Sequence, residues 1–386
     1  MTRRRATYVA FALATLAFYL TVPPIMLRTV VPSLVLAAAA VGFGAWAVAG
    51  GERRLGWAAV VAGVIGAVLA LVFVARRESD LEDVFVWSAL AAAMLRYATP
   101  LVFAALGGVI SERAGVVNIG LEGMILVGAF FGAWGADLGG GWMAGVVIAM
   151  VAGGLFGLLH AVFAVSLRAD QIVSGTAINF LAAGATGYLF VKVYGAEGTP
   201  DDLPEVPDIS LPIGGIPFLG GALEQQNLLV WTALILVGVA SVYLFRTAAG
   251  LRHRSVGENP LAADTAGISV SRTRYLAVVG SGVLAALGGA FLSIGFVNSF
   301  SENMSAGRGF IALAAVIFGR WNPGGALLAA LLFGFSSALA QRLPAFSETA
   351  AVLFQALPYV LTLVAVAGLV GRSRPPAADG IPYERY

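Results

Sequence analysis

Residues 111–124, SERAGVVNIGLEGM, set Glu112, Arg113, Asn118 and Glu122 among three glycines, Gly115, Gly120 and Gly123. The stretch lies between two runs apolar enough to sit in lipid. A charge at the centre of a membrane helix costs roughly 2.5–3.5 kcal/mol on insertion scales, so it faces a partner or a water-filled cavity. Glu122 can therefore serve on a transport path or close a buried structural pair. Asn118 and Glu122 are four apart and are expected to share one helix face. A second polar group surrounds Asn179: Asp170, Gln171, Ser174 and Thr176 lead into it within DQIVSGTAINFLAAGATG. Asn298 and Gln355 fall in later apolar segments. The expected path residues are Asn118, Glu122, Thr176 and Asn179, with structural pairing as the competing reading.

Catalysis has no comparable foothold. The only two histidines, His160 and His253, lie far apart in the sequence, and the absence of cysteine excludes disulfides and thiolate metal sites. No G-x-x-x-x-G-K-[ST] phosphate loop occurs. ATP hydrolysis, if the chain uses it, belongs to another subunit; no enzyme activity, metal or cofactor is expected in this one.

The elements that position these residues are membrane helices. Of 386 residues, 59% are hydrophobic and 11% charged, against roughly 25% charged in an average soluble domain. The apolar residues form long runs, many approaching the roughly 20 residues that cross a bilayer. They lack the alternation of a membrane barrel. The fold class is an all-α, polytopic helical bundle of ten to twelve spans, some short or broken. The runs are 8–27, 30–50, 57–75, 89–110, 119–137, 142–168, 172–192, 227–246, 272–298, 307–320, 324–341 and 349–371. The run 307–320 is short enough to be re-entrant. MTRRR followed by an apolar run resembles a signal peptide, but it lacks a small-residue cleavage site and Pro23-Pro24 follows, so a retained first helix is expected. With the amino terminus inside, most of the 23 Lys and Arg fall on the cytoplasmic side, as the positive-inside rule requires. A net charge of +2 gives no reason to invoke nucleic acid.

Two polar loops stand out. The loop 193–226 carries six acids and no Lys or Arg, with five prolines that should keep it extended and non-helical; it belongs outside. The loop 247–271, TAAGLRHRSVGENPLAADTAGISVS, is basic at its start and belongs inside. It holds one small helix, with Asn259 as amino-terminal cap, Pro260 at the first helical position and Gly267 as the stop. So short a helix cannot stand alone in water, so it packs on its own membrane helices or inserts into a partner. Elsewhere Gly282, Ala286 and Ala290 form a ridge at spacing four, with Gly288-Gly289 and Gly324-Gly325 beside it; such ridges let helices approach closely in lipid.

Four blocks in order carry a family resemblance: LRYATPLVFAALGGVISERAGVVNIGLEGMILVGAF, ADQIVSGTAIN, GLRHRSVGENPLAADTAGI and ENMSAGRGFIALAAVIFGRWNPGGALLAALLFG. The chain resembles the permease subunit of sugar- and nucleoside-type ABC importers, most of all bacterial nucleoside (guanosine-type) permeases. The match covers about residues 88–371. It implies a permease domain at 81–371 in a bacterial plasma membrane; residues 1–80 lie outside the resemblance and are expected to be extra amino-terminal helices, and 372–386 a cytoplasmic tail. It also implies three partners: a cytoplasmic ATPase that holds the ATP, a second identical or related permease, and an extracellular substrate-binding protein or lipoprotein. By the same resemblance the short cytoplasmic helix fits a groove on the ATPase, which places coupling on Gly257, Glu258, Asn259, Pro260, Ala263 and Asp264. The solute expected is a nucleoside, with a simple sugar as the alternative. An ion-coupled transporter working alone would need intramembrane carboxylates, of which Glu122 is the clear one. A membrane enzyme would need clustered His or carboxylates.

Single cysteines at Asp202 and Ser255 of this cysteine-free chain should react with an impermeant thiol reagent from opposite faces of the membrane. Labelling from one face would overturn the charge-based orientation of both loops.

Overall fold

A computed structural model describes residues 31–75, 86–195, 197–214, 219–342 and 374–384, together with residues 9, 10, 12–14, 16, 17, 216, 352, 355 and 356. The expected spans 8–27 and 349–371 lie largely outside these residues. Among the described residues, eight helices are long and apolar enough to cross a membrane, and two shorter apolar helices accompany them. The chain is an all-α polytopic membrane protein.

It divides into two compact units. In the first, α1 (Val31–Ala49) and α2 (Arg53–Ala75) form a hairpin reversed at Gly50-Gly51, where Gly51 has φ +96°. Gly44 abuts Val60, Gly56 abuts Val48 and Gly63 abuts Val41, each at a distance that leaves no room for a larger side chain. The pair therefore packs through glycine-against-valine steps.

The second unit carries α3 (Trp87–Arg113) from Ala91 onward, α4 (Leu121–Gly139), α5 (Trp142–Ala161) and α6 (Gln171–Tyr194). After the acidic loop come α8 (Leu228–Arg246), α9 (Ala248–Glu258), α10 (Pro260–Thr265), α11 (Val270–Ala290), α12 (Arg308–Phe318) and α13 (Pro323–Arg342). Helices α6, α8 and α9 each start at a polar side-chain cap. Asp170 accepts the amides of Ile172 and Val173 at 2.8 and 2.9 Å, Asn227 that of Leu229 at 3.0 Å, and Thr247 that of Gly250 at 3.0 Å. Both α5 and α11 end in widened π turns, Val162–Ser166 and Phe291–Val297, the second closed by Asn298 in the left-handed conformation at φ +57°.

Helix α11 is the axis of this unit: 78% of its span is buried, against 28% for α6. The small-residue ridge does what its spacing predicts. A side chain on Gly153 of α5 would overlap Ala286, one on Gly128 of α4 would overlap the Ala286 backbone, and one on Gly289 would overlap the Ile125 carbonyl. Backbones meet at these crossings, where dispersion and shape rather than water expulsion hold helices in lipid. Large apolar side chains on the outer faces, Phe180, Ile235 and Leu328 among them, stay exposed, as a lipid-facing surface requires.

Two loop expectations need correction. The acidic loop is not wholly extended and non-helical. It holds β1 (Asp208–Ser210), the short helix α7 (Leu219–Leu223) and β2 (Gln225–Asn227), with Asp208 opposite Asn227 and Ser210 opposite Gln225. Proline removes a donor only at its own position, so the four residues between Pro207 and Pro212 remain free to pair, three of them as β1. The loop 247–271 contains α9 as well as the small helix. Its glycines and arginines hide it from a hydrophobicity pattern, and it forms because its inner face packs: Gly250 lies against the Tyr243 carbonyl and Arg254 Nε donates to the Leu244 carbonyl at 2.8 Å.

Replacing Gly289 by Val should reduce folded, detergent-extracted protein at least severalfold. Gly238→Val, on α8 with open space around it, should not. Equal yields on size-exclusion chromatography would show that the crossing tolerates a side chain.

Candidate functional site

The chain reverses between α3 and α4 through Ala114–Gly120, with Gly115 at φ +86°. This backbone is mostly buried, and its polar groups are satisfied by side chains from elsewhere. Ser111 Oγ donates to the Val116 carbonyl at 2.6 Å and Arg274 Nε to that of Ala114 at 3.2 Å. His160 Nε2 bonds the Val117 carbonyl at 3.1 Å, while the Val117 amide donates to Gln171 Oε1 at 2.8 Å. Asn179 spans the start of α4, donating to the Ile119 carbonyl at 3.0 Å and accepting the Gly123 amide at 2.8 Å. Asn118 Nδ2 donates to Ser281 Oγ on α11 at 2.9 Å. The second histidine serves the same region: His253 Nε2 bonds the Ile110 carbonyl at 2.8 Å, and burial holds its pKa below the usual value.

Each end of the reversal carries an acid with a distant partner. Glu122, in the first turn of α4, accepts the Gly307 amide at 2.7 Å and the Gly309 amide at 2.6 Å. Its carboxylate thus caps the amino terminus of α12, where free amides and the helix dipole favour negative charge. A side chain on Gly309 would overlap the Glu122 backbone. At the other end the buried Glu112 accepts the indole N–H of Trp321, and Arg113 Nε donates to the Trp321 carbonyl at 2.8 Å. Arg320 and Trp321 are both left-handed, at φ +55° and +52°, a conformation uncommon for side chains of that size. Glu112 and Arg113 hold that turn in place.

The basic loop packs against the same reversal. Gly257 is pressed on the Arg113 backbone, where no side chain fits, and Arg113 Nη1 faces Glu258 at 4.0 Å. Asn259 caps α10 by accepting the Ala262 amide at 3.0 Å, with Pro260 at the first position and Gly267 at φ +79° after it, as its sequence predicts. Ala263 is buried with Val256 and Val270, whereas Leu261 is 51% exposed. The carboxy-terminal segment reaches this loop. Ala378 N donates to the Gly257 carbonyl at 2.8 Å, and Arg274 Nη1 to that of Ile381 at 2.9 Å. Burial raises the Asp379 carboxyl to about 7 against the pull of Arg274 and the Gly380 amide.

The four expected path residues do not lie on one face. Asn118 precedes α4 instead of belonging to it, so it does not share a helix face with Glu122; Gly115 and the extended residues after it delay the helix to Leu121. Asn118, Glu122 and Asn179 converge on the reversal, while Thr176 is exposed on α6 with its hydroxyl on the Ile172 carbonyl at 2.8 Å. Ser111 and Glu112 are buried in helix α3, Ser111 bonded to the Val116 carbonyl and Glu112 to a donor supplied by Trp321, 209 residues later. Trp321, Arg274, Ser281 and the tail were not legible as partners. Gln171, named in the sequence beside Asn179, does meet the reversal, at the Val117 amide.

A bundle of helices long and apolar enough to cross a membrane, with a buried polar reversal and a short capped helix in a basic loop, is the architecture of a membrane permease. Residues 90–366 match the family described as branched-chain amino acid transport system, permease component, and the chain belongs to it. It is 44% identical over 318 residues to the guanosine ABC transporter permease protein NupQ of Bacillus subtilis, covering 78% of this chain and 98% of the relative. It is 42% identical over 302 residues to the nucleoside ABC transporter permease protein NupC of Lactococcus lactis, covering 75% and 95%. A putative glucose ABC transporter permease protein of Haloferax volcanii, TsgC13, is 36% identical over 255 residues, 65% of this chain and 76% of the relative. No solved structure matches the chain.

Glu122→Gln removes the charge and replaces one of the two accepting oxygens by an NH2 donor that opposes the amide it faced. The loss should be on the order of 2 kcal/mol, read as a lower melting temperature and lower folded yield of the purified permease. Unchanged stability with altered uptake would instead place Glu122 on the path.

Proposed function

We propose that this chain is the permease subunit of an ATP-driven importer in a bacterial plasma membrane, carrying a nucleoside. The observation that carries the reading is α10. It is a six-residue helix, capped at both ends and anchored by Ala263, with Leu261 turned outward. A helix this short persists because it is packed, and an apolar residue left outward on it suits a groove on a cytoplasmic partner. Gly257, Asn259, Pro260 and Ala263 shape and seat the helix; Glu258 and Asp264 supply charge at its rim. The loops 193–226 and 247–271 flank α8 at opposite ends, which supports an ATPase on one side and a binding protein or lipoprotein on the other. A second permease, identical or related, completes the path.

Nucleoside is favoured over simple sugar by the two relatives named for guanosine and nucleoside, which match almost end to end; the glucose-named relative matches less of its length. An ion-coupled transporter working alone is disfavoured because Glu122 is engaged by two backbone amides. Asn118, Glu122 and Asn179 frame the reversal beside the path; Thr176 shares its exposed helix face with Phe180 and joins the path where that face meets the second permease instead of lipid.

Leu261→Asp should insert normally but recover at least ten-fold less ATPase on co-purification. With the native sequence, ATP hydrolysis in liposomes bearing the binding protein should rise with guanosine and not with glucose. A Leu261→Asp permease that keeps its ATPase would remove α10 as the contact, and stimulation by glucose alone would reassign the solute.

A further inference from the structure

The carboxy-terminal segment 374–384 lies outside the family match at residues 90–366, and nothing above gives it a task. Its attachments are numerous for eleven residues. Ala378 N donates to the Gly257 carbonyl at 2.8 Å, and Ala377 N to Glu258 Oε2 at 3.3 Å. Arg274, 1% exposed near the start of α11, holds the Ile381 carbonyl with one nitrogen and the Ala114 carbonyl with another. Tyr383 packs on the cluster of Val256, Ala263 and Val270, which is the anchored side of α9 and α10. Glu384 pairs with Arg168 at 2.7 Å. Local chemistry prepares the segment for this. Pro375, Pro376 and Pro382 restrict its unfolded conformations, and Gly380 at φ +77° turns it sharply.

Ile381 stays 54% exposed, although Arg274 fixes its own carbonyl and Tyr383, two residues on, is half-buried against the cluster. Gly257 and Glu258, which the segment grips, are the two residues immediately before the Asn259 cap. The segment and α10 are therefore joined through the same three residues of backbone, and each presents an exposed apolar side chain, Ile381 and Leu261.

We propose that segment 374–384 is part of the ATPase-docking platform: it clamps α9 and α10 onto the membrane helices and adds Ile381 to the apolar surface that the ATPase covers. The proposal rests on the reading of α10 as the ATPase contact, and supplies that contact with its rigid support. An ordered surface loses less conformational freedom on binding than a fraying helix would.

The test uses the assembled transporter and the cysteine-free background. Ile381→Asp changes an exposed residue and should leave the permease yield unchanged while ATPase recovery falls at least five-fold. Ala263→Cys reports the clamp: in inside-out vesicles an impermeant maleimide should react at least ten-fold faster when Tyr383→Ala is present. A chain ending at Ser373 should show both effects; if it is not recovered from membranes, the two point variants decide. Parental ATPase recovery with Ile381→Asp, or a residue-263 cysteine equally protected with and without Tyr383, would overturn the proposal. Leu261→Asp separates the two ideas. If it loses the ATPase while the tail variants keep it, the tail proposal alone falls; if it too keeps the ATPase, the reading of α10 falls first.

Discussion

Buried backbone that is neither helix nor sheet must find hydrogen-bond partners among side chains, and the reversal Ala114–Gly120 is where this chain meets that demand. Its carbonyls and amides are bonded by His160, Gln171, Asn179 and Arg274, with Ser111 and His253 securing its approach. These side chains come from α3, α5, α6, α9 and α11. One irregular turn thus fixes the relative placement of most of the second unit's helices. Removing any one partner leaves a buried polar group unpaired, a cost of roughly 1–3 kcal/mol. The conformation of the reversal and the packing around it are consequently one problem.

The same accounting explains why a polar stretch sits in so apolar a chain. Glu122 and Glu112 lie at its two flanks, and each reaches a turn about 200 residues away: Glu122 the start of α12, Glu112 the left-handed pair Arg320-Trp321. The short helix α12 is thereby held at its start by one acid, and the turn after it by the other. A helix of 11 residues is too short to cross a bilayer unaided, and these two carboxylates are what locate it.

Local chemistry was legible in the sequence; distant partnership was not. Composition and run length identify the helical membrane bundle, because they concern each segment alone. Asn259, Pro260 and Gly267 mark α10 correctly because caps act within a few residues. The ridge Gly282–Ala286–Ala290 marks the packed face of α11 because small residues matter at any crossing. By contrast, Asn118 and Glu122 at spacing four look like one helical face, and the extended residues before Leu121 undo that reading. Helix α9 is invisible to hydrophobic patterning because its stability comes from α8 and the reversal. No rule of spacing connects Glu112 to Trp321 or Arg274 to Ile381.

Helix α11 is fastened near both ends. Near its start Arg274 holds the reversal and the tail. At its far end the π turn leaves the Ile294 carbonyl open to the Val206 amide of the acidic loop, at 2.8 Å, and Asn227 locks Val206 from the other side. From Arg274 to Ile294 the helix runs about 30 Å, and Gly282, Gly288 and Gly289 bring it against neighbouring backbone. The acidic loop at one end, and the reversal with the tail at the other, are thus tied to the same buried helix, so neither can shift along its axis without drawing on the other.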